Sequence, residues 1–141
     1  MIEAQLLDKE AFDRARAEIG GQISRIVGYF REDGVRAVAE IAEALRAGNA
    51  AAMVRPAHTL KGDSRQLGAE PLADLCETIE DIARDCVESH DTPEAAMEHV
   101  IQLKPLFERT LALLERESNP LVERRPQFGA ATGGGFGRRA I

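Results

Sequence analysis

Tryptophan is absent from this chain of 141 residues, tyrosine occurs once and phenylalanine five times. Sandwiches and barrels draw on aromatic and β-branched side chains to cover their sheets, so this scarcity leaves closely packed helices rich in alanine, leucine and isoleucine. Cysteine is nearly as rare. Cys76 and Cys86 lie ten residues apart, which is about 15 Å along one helix, too far for a disulfide between them; both read as reduced and structural, with Cys76 in the core. No Cys or His pair has ligand spacing, so no metal site is expected.

Other absences bear on function. No apolar run approaches roughly 18 residues, and no charged segment followed by an apolar stretch opens the chain, so a cytoplasmic protein without membrane contact is expected. The net charge of −6 argues against nucleic acid as the main partner, because phosphate backbones reward basic surfaces. No glycine-rich phosphate loop precedes a helix, and 141 residues cannot hold an ATP-binding domain beside a helical bundle, so autokinase activity is not expected.

Apolar stripes at helical spacing fill most of the chain. A short first helix spans about Asp8 to Ala17, capped by Asp8, with Ala11, Phe12 and Ala15 on its apolar side. Gly20-Gly21 offers a break. Ile19, Ile23, Ile26, Val27 and Phe30 then mark a second helix, and Val35, Val38, Ile41, Ala42 and Leu45 a further stripe; the spacing leaves open whether the helix restarts after Gly34. Gly48 suits a C-terminal cap and Asn49 an N-cap for a helix from about Ala50 to Leu67, which contains Pro56 and ends at Gly68. Pro56 is either a kink that positions the residues after it or a tolerated bend near a helix start. Pro71 suits the first turn of the next helix, with Leu72, Leu75, Cys76, Ile79, Ile82, Ala83 and Cys86 inward. Thr92-Pro93 opens a last long helix carrying Ala96, Val100, Leu103, Phe107, Leu111 and Leu114 inward to near Glu117, with a bend expected at Pro105.

These patterns predict an all-α, up-down antiparallel four-helix bundle with an additional N-terminal helix over residues 1–117, and a disordered tail over 118–141. Four arginines against Glu123 give that tail +3, opposite in sign to the rest of the chain. It is either an inert extension or a segment that touches the acidic body or a partner.

Chemistry concentrates in His58-Thr59-Leu60-Lys61-Gly62-Asp63-Ser64-Arg65-Gln66-Leu67-Gly68-Ala69. On a helix, His58 shares a face with Lys61, Gly62 and Arg65, while Val54, Ala57, Leu60 and Leu67 face the core. Glycine inside a helix costs roughly 1 kcal/mol relative to alanine, so Gly62 calls for a reason, and space over His58 is one. An ammonium such as Lys61, about 4 Å from a phosphoryl group, contributes up to about 4 kcal/mol per unit charge at an effective dielectric near 20. A helix returning antiparallel brings Glu80 level with His58. A carboxylate on one ring nitrogen fixes the tautomer and leaves the other nitrogen to attack. Arg84, one turn on, then either sits near the phosphoryl group or pairs with Glu80. His90 and His99 lack such surroundings.

This stretch resembles the signature of histidine phosphotransfer domains, the helical modules that relay phosphoryl groups between receiver aspartates. The matching positions are His58, Lys61, Gly62, the small Ser64 and the Leu67-Gly68-Ala69 ending, followed by Leu72, Leu75, Cys76, Ile79 and Glu80. More loosely, the likeness extends from about Phe12 to about Leu114. The resemblance implies His58 as phosphoacceptor, Lys61, Gly62 and Glu80 as the working site, and Ser64, Arg65 and Arg84 in support. It further implies response-regulator receiver domains and a hybrid histidine kinase as partners. No cofactor is then expected on this chain, since Mg2+ would come with the receiver domain. A monomer is the plainest expectation, with Phe12 and Ile19 as possible docking contacts. The competing reading is a non-phosphorylated helical adaptor that binds a receiver or another regulator.

Overall fold

The computed structural model describes residues 3–118, and all the regular elements among them are helical. They are α1 (Glu3–Leu6), α2 (Lys9–Ile19), α3 (Ile23–Arg46), α4 (Ala50–Gln66), α5 (Glu70–Ser89) and α6 (Met97–Ser118), with short 3-10 turns at Gly20–Gln22 and Glu94–Ala96. The tail beyond Ser118 lies outside the described residues.

Local chemistry sets most of the boundaries. Asp8 caps α2 by accepting a hydrogen bond from the Ala11 backbone N–H at 3.2 Å, and Asn49 caps α4 in the same way from Ala52 at 3.0 Å. Pro71 occupies the first turn of α5, where its missing N–H costs nothing. Pro93 precedes a 3-10 turn, so α6 itself starts at Met97. Gly68, with φ +82°, closes α4 in a conformation that would strain any side chain, and a Cβ there would meet the Asp8 carbonyl at 2.9 Å.

The second and third apolar stripes belong to one helix. α3 runs without interruption through Gly34, and the ring of Phe107 on α6 fills the space where a Cβ would stand. Glycine here serves close packing and does not break the helix. Val35, expected inside, is 56 % exposed; an unbroken helix turns it outward while Gly34, Ala37, Val38 and Ile41 face the core.

α3 packs on α4, α4 on α5, α5 on α6, and α6 also on α3, so four long helices enclose one core. Its centre holds Ile41, Met53, Leu60, Leu72, Ile79, Leu103, Phe107 and Leu114, all nearly inaccessible. Each such side chain contributes about 1.5–3 kcal/mol relative to exposure. Cys76 and Cys86 are both buried and free, and burial pushes the Cys76 thiol up to about 12, so it stays protonated and inert.

α2 lies over one end of this bundle. The Asp8 N–H donates to the Gly68 carbonyl at 2.8 Å, Lys9 pairs with Glu117 at 2.6 Å, and Arg16 donates to the Glu117 carbonyl at 2.9 Å. Phe12 is fully buried beneath Arg16, and Ile19 packs partly against the core. Both were core candidates as well as possible docking contacts. The core takes Phe12 entirely, covering the end of the bundle with an apolar side chain, while Ile19 stays half-buried.

Candidate functional site

α4 buries Met53, Pro56, Ala57, Leu60 and Ser64 and turns His58, Thr59 and Gly62 outward. The His58 side chain is 60 % exposed, although its own helix neighbours on the inner face are sealed. Pro56 lies in an unbroken helix and packs into the core two residues before it.

Beneath the imidazole sits Glu80 of α5, whose side chain is 4 % exposed. Its Oε2 is 2.9 Å from His58 Nδ1 and accepts two N–H bonds from Arg84, at 2.9 Å from Nε and 2.7 Å from the terminal nitrogen. Its Oε1 is 2.8 Å from Lys61 Nζ. One buried carboxylate thus gathers an imidazole and two cations, and the group carries one net positive charge with the ring neutral. Burial works to raise the Glu80 pKa, but the bonds from Lys61, Arg84 and His58 outweigh it and hold the carboxyl down at about 2.

An ionised carboxylate only accepts, so the hydrogen on the shared bond belongs to Nδ1. The neutral ring then keeps its lone pair on Nε2, which makes no hydrogen bond among the described residues. Gly62 stands one turn on, and a Cβ built there meets nothing within 4 Å. Internal packing therefore gives no reason for glycine at this position.

Of the expected supporting residues, Arg84 takes the pairing alternative and holds Glu80. Arg65 turns away to three α5 carboxylates, Glu70 at 3.3 Å, Asp74 at 2.9 Å and Glu77 at 3.4 Å, and ties α4 to α5 below the site. Ser64 is fully buried, and its hydroxyl has no hydrogen-bond partner among the described residues. Its small side chain fits the buried face of α4.

An acidic neighbour escaped the sequence reading. Burial pushes the Asp63 carboxyl up, and the charge of Asp33 on α3 adds to the shift. Asp63 directly follows Gly62, but only the packing of α3 on α4 brings Asp33 near it, and no local spacing encodes that.

An exposed, carboxylate-held histidine on a four-helix scaffold defines a class, and sequence comparison agrees. Residues 25–117 match the family model of the Hpt domain, and the chain belongs to that family. Its members are histidine phosphotransfer proteins of phosphorelays. A similar solved structure is the crystal structure of histidine-containing phosphotransfer protein B from Pseudomonas aeruginosa PAO1. The likeness has a TM-score of 0.71 at 25 % identity and covers 80 % of this chain and 94 % of that one. No curated protein matches the sequence significantly. The α1–α2 cap precedes the matched segment. No described helix is long and apolar enough to cross a membrane.

Proposed function

We propose that this chain relays a phosphoryl group between receiver-domain aspartates through His58, as an intermediate without kinase activity of its own. The observation that carries this reading is the 2.9 Å bond between the buried Glu80 carboxylate and Nδ1 of an exposed His58, which leaves Nε2 as a nucleophile facing outward.

In this mechanism Nε2 attacks the phosphorus of an aspartyl phosphate in line. The N–P bond forms as the P–O bond breaks, and the donor carboxylate departs with the electron pair; the second transfer reverses these roles with another receiver. Positioning and charge stabilisation are the main demands of such a step. Glu80 positions the ring, Arg84 holds Glu80 in place, Lys61 supplies positive charge beside the incoming phosphoryl group, and Gly62 leaves room for the receiver. Ser64 and Arg65 act at a distance, through close helix packing and the tie between α4 and α5. Mg2+ belongs to the receiver's own site.

The topology that suits this reading is the up-down antiparallel bundle capped by α1–α2; of the tail expected from residue 118, Ser118 is the buried last residue of α6 and the rest lies outside the described residues. A monomer in the cytoplasm, served by a hybrid histidine kinase and its receivers, is the corresponding cellular setting.

The test is transfer from a phosphorylated receiver to wild-type and His58→Gln chains, followed by acid treatment of the product. Acid-labile phosphate on the wild type alone is the expected result. Labelling of both chains would place the acceptor elsewhere, and receiver binding without transfer would support the adaptor reading.

A further inference from the structure

Phosphorylation at Nε2 creates a ring that carries both the new N–P bond and the original Nδ1–H, and is therefore cationic. Two fates follow. If the Nδ1 proton leaves to water, cleaving the N–P bond must expel an imidazolate. If the proton stays, the electron pair of the broken bond returns to Nε2 and the leaving group is neutral imidazole, which departs far more readily. What sits on Nδ1 decides between a stored and a mobile phosphoryl group.

In this chain it is a full carboxylate. Glu80 Oε2 lies 2.9 Å from Nδ1 on a side chain almost closed to water. A neutral amide could accept the same hydrogen bond, but a charged acceptor specifically favours the cationic ring. Glu80 also keeps its own negative charge far below neutral pH, so it accepts the hydrogen bond without taking the proton. Arg84 shares Oε2 through two N–H bonds, and Lys61 occupies Oε1. These cations work in the opposite sense and weaken the field that the ring feels. The charged group bonded to the imidazole is thus Glu80 of α5, and the charged groups bonded in turn to Glu80 are Lys61 of α4 and Arg84 of α5. Among the described residues no hydrogen bond or ion pair joins His58 to α3 or α6.

We propose that Glu80 retains the Nδ1 proton on His58 after phosphorylation, so that this chain carries a phosphoryl group set for rapid discharge, with Arg84 moderating the hold through the shared carboxylate oxygen. The inference rests on His58 being the phosphoacceptor. Glu80 and Arg84 act through the ring as positioning residues. In discharge to water, the water oxygen forms the new P–O bond as N–P breaks, Nε2 recovers its electron pair, and Nδ1 keeps its hydrogen.

The experiment labels the full chain with phosphoramidate or a phosphorylated receiver, removes the donor, and follows loss of phosphohistidine by 31P NMR from about pH 5 to about pH 9. Glu80→Gln is expected to lengthen the lifetime about tenfold near neutral pH and to move the profile about one unit lower, while Arg84→Gln moves it the opposite way. Opposite displacements cannot come from general damage to the site. Superimposable profiles, or both variants shifting in the same direction, would overturn the inference. If Glu80→Gln takes no label, the direction of the Arg84→Gln shift decides alone. A wild-type chain that takes no label defeats the relay reading itself, whereas a labelled wild type with unmoved variants defeats only the role given to Glu80.

Discussion

Lys61 Nζ and Glu80 Oε1 are 2.8 Å apart, so the first helix turn after His58 is fastened to α5 by an ion pair whose acidic partner is almost closed to water. This has a consequence for stability. The Glu80 carboxyl falls from 4.5 to about 2 in the folded protein. A depressed acid stabilises the fold above its unfolded value, and the contribution is lost as pH falls from about 4.5 towards about 2. Solvent around the exposed His58 and Arg84 side chains screens part of this contribution. Urea unfolding at a series of acidic pH values should show a loss of this kind in the wild type and a shallower one in Glu80→Gln. Equal slopes would mean that Glu80 is not held as the geometry indicates.

Gly62 gives a prediction in which stability and function separate. A Cβ there meets nothing, and exposed helix interiors favour alanine over glycine by roughly 1 kcal/mol. Gly62→Ala is therefore expected to raise the melting temperature. Gly62→Gln should unfold no more readily than wild type yet accept phosphate from a receiver at least about tenfold more slowly, because its side chain stands over the approach to His58. Unaltered transfer by Gly62→Gln would remove the access argument.

Ser64 offers a simpler test. Its hydroxyl is buried without a hydrogen-bond partner among the described residues, and such a group forfeits about 1–3 kcal/mol of hydration. Ser64→Ala removes that loss and adds a better helix former, so thermal unfolding should show a gain of about 1 kcal/mol with transfer unchanged. A drop in stability would show that the hydroxyl has a partner after all.

How much of this was legible beforehand depends on the range over which the information acts. Asp8, Asn49, Gly68 and Pro71 set helix ends through neighbours within a few residues, and each was readable from its position in the chain. The pairing of His58 with Glu80 was also readable, because a short connection between two helices fixes which turns face each other. Arg65 was placed beside His58 by helix spacing alone, although the same short connection brings three α5 carboxylates within its reach. The exposure of Val35 was not readable. An apolar stripe restarted after Gly34 places Val35 inside, and only α6, distant in sequence, shows that the helix never stops.

That distant contact yields the last prediction. At Gly34 a Cβ would fall 2.5 Å from Phe107 Cζ, and Phe107 is itself 2 % exposed, its ring tilted against that of Phe30 with centroids 5.5 Å apart. The ring has nowhere to go without moving its neighbours, and overpacking of this kind costs about 1–3 kcal/mol, more than the helix propensity that alanine returns. Gly34→Ala should therefore destabilise where Gly62→Ala stabilises, although both are glycine-to-alanine changes inside helices of one bundle. Adding Phe107→Leu should relieve the clash, so the double variant loses less than the two single losses combined. Below its own melting transition, Gly34→Ala should still accept phosphate, because the clash involves α3 and α6 while the His58 cluster is built from α4 and α5. Additive losses in the double variant would show that the ring can swing aside, and Gly34 would then need another explanation.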